Sequence, residues 1–237
     1  MKLTSYGMTD IGLKRRINQD AFLKDDSLGL YVVADGMGGH RGGEVASQMA
    51  VEGLQRFCKA NPELEPQELL DKGINLCCEE IFKEAAQNSE LAGMGTTVIA
   101  LLLRDNRAYI GQVGDSRAYL LQNENIWQVT EDHSLLNEEI RAGRIAADEA
   151  ANYQFRNVIT RSVGYEKQVL VDIYRREILV GDIFLACTDG LSGLVEINEM
   201  KESIVKQGIE TGLISLVALA NSRGGDDNIT AMAVQVA

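Results

Sequence analysis

Apolar positions along this chain change their period in a fixed order. Residues 2–8 alternate weakly, and Ala21–Lys24 and Leu28–Ala34 are short apolar runs, which predicts three strands. The last two are joined through Asp25-Asp26-Ser27, a turn composition. From Gly42 to Lys59 the apolar positions recur every three or four residues (Val45, Ala46, Met49, Ala50, Gly53, Leu54, Phe57), which predicts an amphipathic helix. Pro66–Gln87 predicts a second, with Leu70, Ile74, Cys77, Ile81 and Ala85 on one face. Strand signals return at Val98–Leu103, Arg107–Val113, Ser116–Leu121 and Ile126–Thr130. Their connections, Asp105-Asn106, Gly114-Asp115 and Asn123-Glu124-Asn125, have hairpin lengths and predict antiparallel neighbours. Glu131–Gly164 is polar, with helical pieces only around Leu135–Ala142 and Ala146–Ala151, and reads as an excursion over a sheet edge. Strands at Val169–Glu177 and Asp182–Thr188, helices at Ile197–Gln207 and Thr211–Arg223, and a strand at Asn228–Val236 complete the pattern.

Strands, two helices, strands, two helices and a strand are not the alternation of a doubly wound fold. They predict an α+β fold: a four-layer α-β-β-α sandwich of two antiparallel β-sheets flanked by pairs of antiparallel helices. Only two prolines occur and no Pro, Ser or Gln tract marks a linker, so residues 1–237 read as a single domain. The apolar fraction of 45% supports a packed core. The net charge, 23 − 35 = −12, argues against nucleic-acid binding and against anionic membrane surfaces. No apolar stretch approaches the ~20 residues of a membrane helix, and residues 1–10 carry no signal pattern. Four cysteines without a C-x-x-C pair and only two histidines make a zinc site a poor fit and suit a reduced, cytoplasmic chain.

The candidate chemistry lies in repeated aspartates beside glycine. Leu30–Ala34 runs into Asp35-Gly36, Val113-Gly114 into Asp115, and Phe184–Thr188 into Asp189-Gly190. Gly224-Gly225-Asp226-Asp227-Asn228 opens the last strand. Carboxylate and carbonyl oxygens suit Mg2+ or Mn2+, and glycine lets the backbone approach and offer its carbonyl. One Asp-Gly is ordinarily a tight turn; four acidic sites in the same setting point to a shared cation site. The glycine-rich stretch after Asp35 is not a nucleotide cradle: Gly38 and Gly43 have P-loop spacing, but Glu44 stands where lysine is needed.

Taken in order, the motifs resemble those of the metal-dependent protein serine/threonine phosphatases of type 2C, bacterial single-domain branch. They are Arg15-x-x-Asn18-Gln19-Asp20, Val33-Ala34-Asp35-Gly36-Met37-Gly38-Gly39-His40, Gly93-Met94-Gly95-Thr96-Thr97, Val113-Gly114-Asp115-Ser116-Arg117, Thr188-Asp189-Gly190-Leu191 and Gly225-x-Asp227-Asn228. The resemblance implies the same layered sandwich. It implies hydrolysis of phosphoserine and phosphothreonine on proteins by a water or hydroxide bridging two Mn2+ or Mg2+ ions roughly 3.5–4 Å apart.

The resemblance also implies roles. Asp35 matches the bridging ligand and Gly36 a backbone ligand of the second ion. Asp189 and Asp227 match ligands of the first, and Asp115 with Asp189 a third, weaker site. Arg15 matches the arginine that holds the phosphate, and Asp20 an outer acid that orients water. Asp226 is the less favoured of the Asp226-Asp227 pair. Met37 replaces the histidine of animal-type members, which leaves His40 as the candidate proton donor. Gln19 replaces their metal-side glutamate. His133 reads as structural or near the rim. Residues from about 138 to 164 match the variable flap, which is expected to shape substrate access.

The partners implied are phosphorylated proteins and a cognate serine/threonine kinase, with a monomeric, cytoplasmic protein. Two alternatives stay open: a phosphatase of an anti-sigma-factor-type phosphoprotein, and a non-catalytic interaction module. An aspartyl-phosphate phosphatase of the haloacid-dehalogenase type is disfavoured, because Asp35-Gly36-Met37 lacks its second aspartate.

Overall fold

The computed structural model describes residues 2–38, 42–146, 149–150, 153–155 and 157–237. One sheet contains β1 (Leu3–Asp10), β11 (Ile229–Val236), β10 (Ile183–Cys187), β7 (Arg117–Gln122) and β8 (Asn125–Gln128), in that spatial order. The other contains β2 (Asp20–Asp25), β3 (Leu30–Met37), β5 (Val98–Arg104), β6 (Arg107–Val113) and β9 (Asp172–Glu177), with the two-residue β4 (Gly95–Thr96) paired to β3. Neighbouring strands are antiparallel throughout. Helices α1 (Gly42–Ala60) and α2 (Pro66–Gln87) cover the second sheet, and α5 (Ile197–Gln207) and α6 (Ile209–Ser222) the first. Short helix α3 (Leu135–Arg141) lies between β8 and β9, and α4 (Asp189–Ser192) between β10 and α5. Among the described residues no helix is long and apolar enough to cross a membrane.

Three apolar layers hold the sandwich together. Leu30, Val32, Ala100 and Leu102 pack on Ala46, Leu54, Leu70 and Ile74 of the first helix pair. Tyr31, Val33, Ile99 and Leu101 meet Phe184, Met232 and Val234 of the opposite sheet. Leu185, Ala231 and Ala233 pack on Met200, Leu213 and Leu216 of the second pair. Strands covered on both faces must be apolar on both, which is why β3, β5 and β11 read as continuous apolar runs. The period of two has a functional consequence. Tyr31 and Val33 face the opposite sheet, so Asp35 is directed into the same inter-sheet space.

Two of the expected hairpins form with two-residue turns. Asp105 and Asn106, and Asn123 and Glu124, all have positive φ, as type I′ turns require. The connection at Gly114-Asp115 is not a hairpin. It carries the chain from β6 in one sheet to β7 in the other. Gly114 makes the crossing at φ 100°, packed so closely on Thr97 that a Cβ would lie 2.5 Å from its Cγ2. Loop length alone cannot separate a turn within a sheet from a turn between sheets, because both join antiparallel runs. The expected strand from Val169 begins only at Asp172. The helical piece expected at Ala146–Ala151 falls partly outside the described residues, and His40 falls wholly outside them.

Candidate metal and phosphate site

Asp35 is not at a strand end, as the abrupt end of the apolar run suggested. Pairing of Gly36 and Met37 with β4 carries β3 past it. Its backbone is fixed on both sides. The N–H donates to Thr97 Oγ1 at 2.9 Å, and the carbonyl accepts from Thr96 Oγ1 and from the Thr97 N–H, each at 2.9 Å. Asp20 sits directly opposite Asp35 in the β2–β3 register, a pairing of like charges that is unfavourable without a counter-ion. Asp115 follows the sheet-to-sheet crossing. Asp189 opens α4 immediately after β10. Asp227 precedes β11; its Oδ1 accepts from the Asn228 N–H at 2.8 Å and its Oδ2 from Arg15 Nη2 at 2.6 Å.

These segments converge on one cavity of about 270 Å³, lined by Arg15, Asp35, Asp115, Asp189, Asp227 and Asn157 among others. Asp20 lies behind it, buried, with Oδ2 accepting from Thr188 Oγ1 at 2.9 Å. Asp20 Oδ1 and Asp189 Oδ1 are buried without a hydrogen-bond partner among the described residues. Burial, followed by the charges of Asp20, Asp189, Asp115 and Asp227, holds the Asp35 carboxyl well above the usual carboxylate range. Burial pushes Asp20 up to about 7, with hydrogen bonds from Thr230 and Thr188 opposing and Asp189 and Asp227 adding. Burial and then Asp189 push Asp115 to about 7. Asp189 is raised by burial and by Asp227.

A set of oxygen-only donors, carrying excess negative charge and two orphaned oxygens, fits hard divalent cations and does not fit zinc. The set lines the cavity without closing on a point: no three acidic side chains among the described residues enclose an ion by themselves.

The raised carboxylates set a pH signature. Asp20 and Asp115 stand above their unfolded value of 3.8, so the folded state holds extra protons between about pH 4 and 7. The stability they contribute is complete below the unfolded pKa and is lost as pH rises through the folded one. In chelator, the melting temperature is expected to fall by about 5 °C between pH 5 and 8, and Mn2+ is expected to restore it at pH 8. A flat melting profile in chelator would refute the uncompensated cluster.

Other side chains form the scaffold around the cavity. His133 is buried; its Nδ1 accepts from the Gly114 N–H at 3.1 Å, so Nε2 carries the proton and faces Asp172 at 3.2 Å. It braces the turn before Asp115 and does not line the cavity. Asp226 is turned outward onto Lys14. The sequence reading missed Thr188, which donates to Asp20; Ser116, which shares a 2.7 Å hydrogen bond with Thr97; and Asn157, which lines the cavity from the flap. Alternation along β10 places Thr188 on the inter-sheet face and could have found it. Nothing in the flap's sequence marks Asn157.

A family model described as protein phosphatase 2C matches residues 14–215. The serine/threonine phosphatase stp of Listeria monocytogenes is 39% identical over 235 residues, covering 96% of this chain and 93% of its own. The crystal structure of the Mycobacterium tuberculosis serine/threonine phosphatase PstP/Ppp superposes with a TM-score of 0.92 at 32% identity, over 99% of this chain and 98% of that one. The catalytic domain of PstP in complex with two manganese ions gives a TM-score of 0.89 at 32% identity, over 99% of both chains.

Proposed function

The chain belongs to the protein phosphatase 2C family and is a metal-dependent protein serine/threonine phosphatase, and we propose that its carboxylate cavity is the catalytic centre. The observation that carries this reading is the gathering of Asp35, Asp115, Asp189, Asp227 and Arg15, from five separate parts of the chain, around one cavity.

Asp35, the Gly36 carbonyl, Asp189 and Asp227 would hold two Mn2+ or Mg2+ ions, and Asp115 with Asp189 a third. The two manganese ions of the PstP catalytic domain support the pair of ions. When bound, such ions acidify water and neutralise charge on a phosphoryl group. The protein's own residues supply the rest. Arg15 offers a planar fork of N–H donors to the phosphate oxygens. Asp20, fixed by Thr188, has an Oδ1 without a partner among the described residues and would orient water by accepting a hydrogen bond from it. Asn157 and Ile159 bring the flap against the cavity rim, so the flap shapes which phosphoprotein segments enter. His40 would serve as proton donor to the leaving serine or threonine oxygen. A cognate serine/threonine kinase would supply the substrates. The four buried, free cysteines suit a monomer working in the reducing cytoplasm.

A direct assay tests this. A phosphothreonine peptide is expected to release phosphate with Mn2+ and not with chelator. Asp189→Asn is expected to lower kcat by at least about a hundredfold. Release that persists in chelator would overturn the site.

A further inference from the structure

Arg15 sits on a loop without regular structure of its own, between β1 and β2. What fixes that loop is a side chain with no role assigned so far. Asn228 is buried, and its three side-chain hydrogen bonds among the described residues all go to the Arg15 loop. Nδ2 donates to the carbonyls of Ile11 at 2.9 Å and Ile17 at 3.1 Å, and Oδ1 accepts from the Gln19 N–H at 2.8 Å. The contacts bracket Arg15 on both sides.

Two neighbouring features tighten the arrangement. The N–H groups of Leu13 and Lys14 both donate to the Gly225 carbonyl, at 2.8 and 3.2 Å. Gly12, at φ 78°, lies so close to the Asp227 carbonyl that a Cβ would stand 2.2 Å from it. The carbonyl of Gln19, whose N–H Asn228 holds, accepts from the Gly36 N–H at 3.1 Å and from Ser47 Oγ at 2.6 Å. The Asn228 amide therefore ties the Arg15 loop to the turn that carries Asp227, and through Gln19 that loop is tied to the strand that carries Asp35.

The Arg15 side chain is half exposed and long, with one N–H directed to Asp227. Such a side chain delivers a fixed geometry only if its backbone is fixed. We propose that Asn228 is a positioning residue for phosphate recognition: it acts through Arg15, setting the loop's height above Asp227 so that the guanidinium meets the phosphate oxygens. This rests on the reading that Arg15 holds the phosphate.

The test is a double-mutant cycle in the Mn2+-loaded enzyme, with an aryl phosphate as substrate and inorganic phosphate as competitive inhibitor. Arg15→Ala is expected to raise the inhibition constant of phosphate and the KM about tenfold or more. Asn228→Ala is expected to raise both roughly three- to tenfold, with kcat changed less than about threefold. In the Arg15→Ala background, Asn228→Ala is expected to add nothing. The rise in melting temperature on adding Mn2+ is expected to persist in Asn228→Ala. If Asn228→Ala does not melt cooperatively, Asn228→Asp, which keeps the acceptor for Gln19 and loses the two donors, carries the same cycle.

Equal factors in both backgrounds, a fall confined to kcat, or loss of the Mn2+-induced stabilisation would overturn the proposal and leave the Arg15 reading standing. An unchanged inhibition constant in Arg15→Ala would instead overturn the Arg15 reading.

Discussion

Asp35→Asn is expected to lower Mn2+-dependent phosphate release by at least about a thousandfold, roughly 4 kcal/mol of barrier, and yet to raise the melting temperature in chelator. The two effects share one cause. Asp35 is held in a strand, pinned through its backbone to Thr96 and Thr97, and faces Asp20 across the ladder. Its carboxylate cannot swing into solvent, so it is matched by a cation, neutralised by a proton, or left charged at the cost of repulsion. The amide has the same shape, keeps the backbone bonds and removes one charge from a cluster of five carboxylates. Without metal, at a pH above the raised titration range of the cluster, that relieves repulsion, for a gain on the order of 2 kcal/mol, or about 5 °C in a chain of this size. With metal it removes the ligand proposed to bridge. Peptide assays and melting curves on one preparation check both. Retained activity would refute the bridging role, and a lower melting temperature in chelator would refute the stored repulsion.

Gly36→Ala is expected to lose about 3–5 kcal/mol of stability, a fall of roughly 10 °C, and Mn2+-dependent activity with it. A Cβ at Gly36 would lie 2.0 Å from the Gly43 carbonyl oxygen and 2.5 Å from that of Gln19. Both obstacles are backbone: one belongs to the first turn of α1, the other to the turn before β2. Neither can rotate aside, so β3, the start of α1 or the Arg15 loop must move. Gly143 gives the contrast. It has φ 67° but nothing within 4 Å of a built Cβ, and alanine there should cost about 1 kcal/mol of conformational strain only. Equal melting temperatures for the two variants would contradict the packing described at Gly36.

The layers were legible in the sequence because burial on two faces leaves a plain mark. The apolar runs at Leu30–Ala34 and Val98–Leu103 cannot be edge strands with a wet face, and the helices at Gly42–Lys59 and Pro66–Gln87 show one stripe each. The candidate ligands were legible because aspartate after an apolar run needs a reason. What stayed hidden depends on the third dimension. The Gly114-Asp115 turn has a hairpin's length but changes sheet, which is set by the packing of Gly114 on Thr97. The opposition of Asp20 and Asp35 depends on a register no single strand displays. Asn228 appeared as the neighbour of an aspartate, and its grip on Ile11, Ile17 and Gln19 spans about 200 residues of sequence.

The pairing of β1 with β11 has a kinetic consequence. Leu3 lies opposite Val236 and Asp10 opposite Ile229, so the first strand is partnered by the last, and β11 also separates β1 from β10. Closing a loop of that length costs about 5 kcal/mol of chain entropy before any contact rewards it. On the ribosome, β1 must wait unpaired until β11 emerges, and β10 presents an open edge meanwhile. Asp227 and Asn228 arrive with the same segment. A nascent chain therefore has the first helix pair and its sheet available early but cannot complete the carboxylate cavity until β11 is seated, because Asp227 and its neighbours come with that strand.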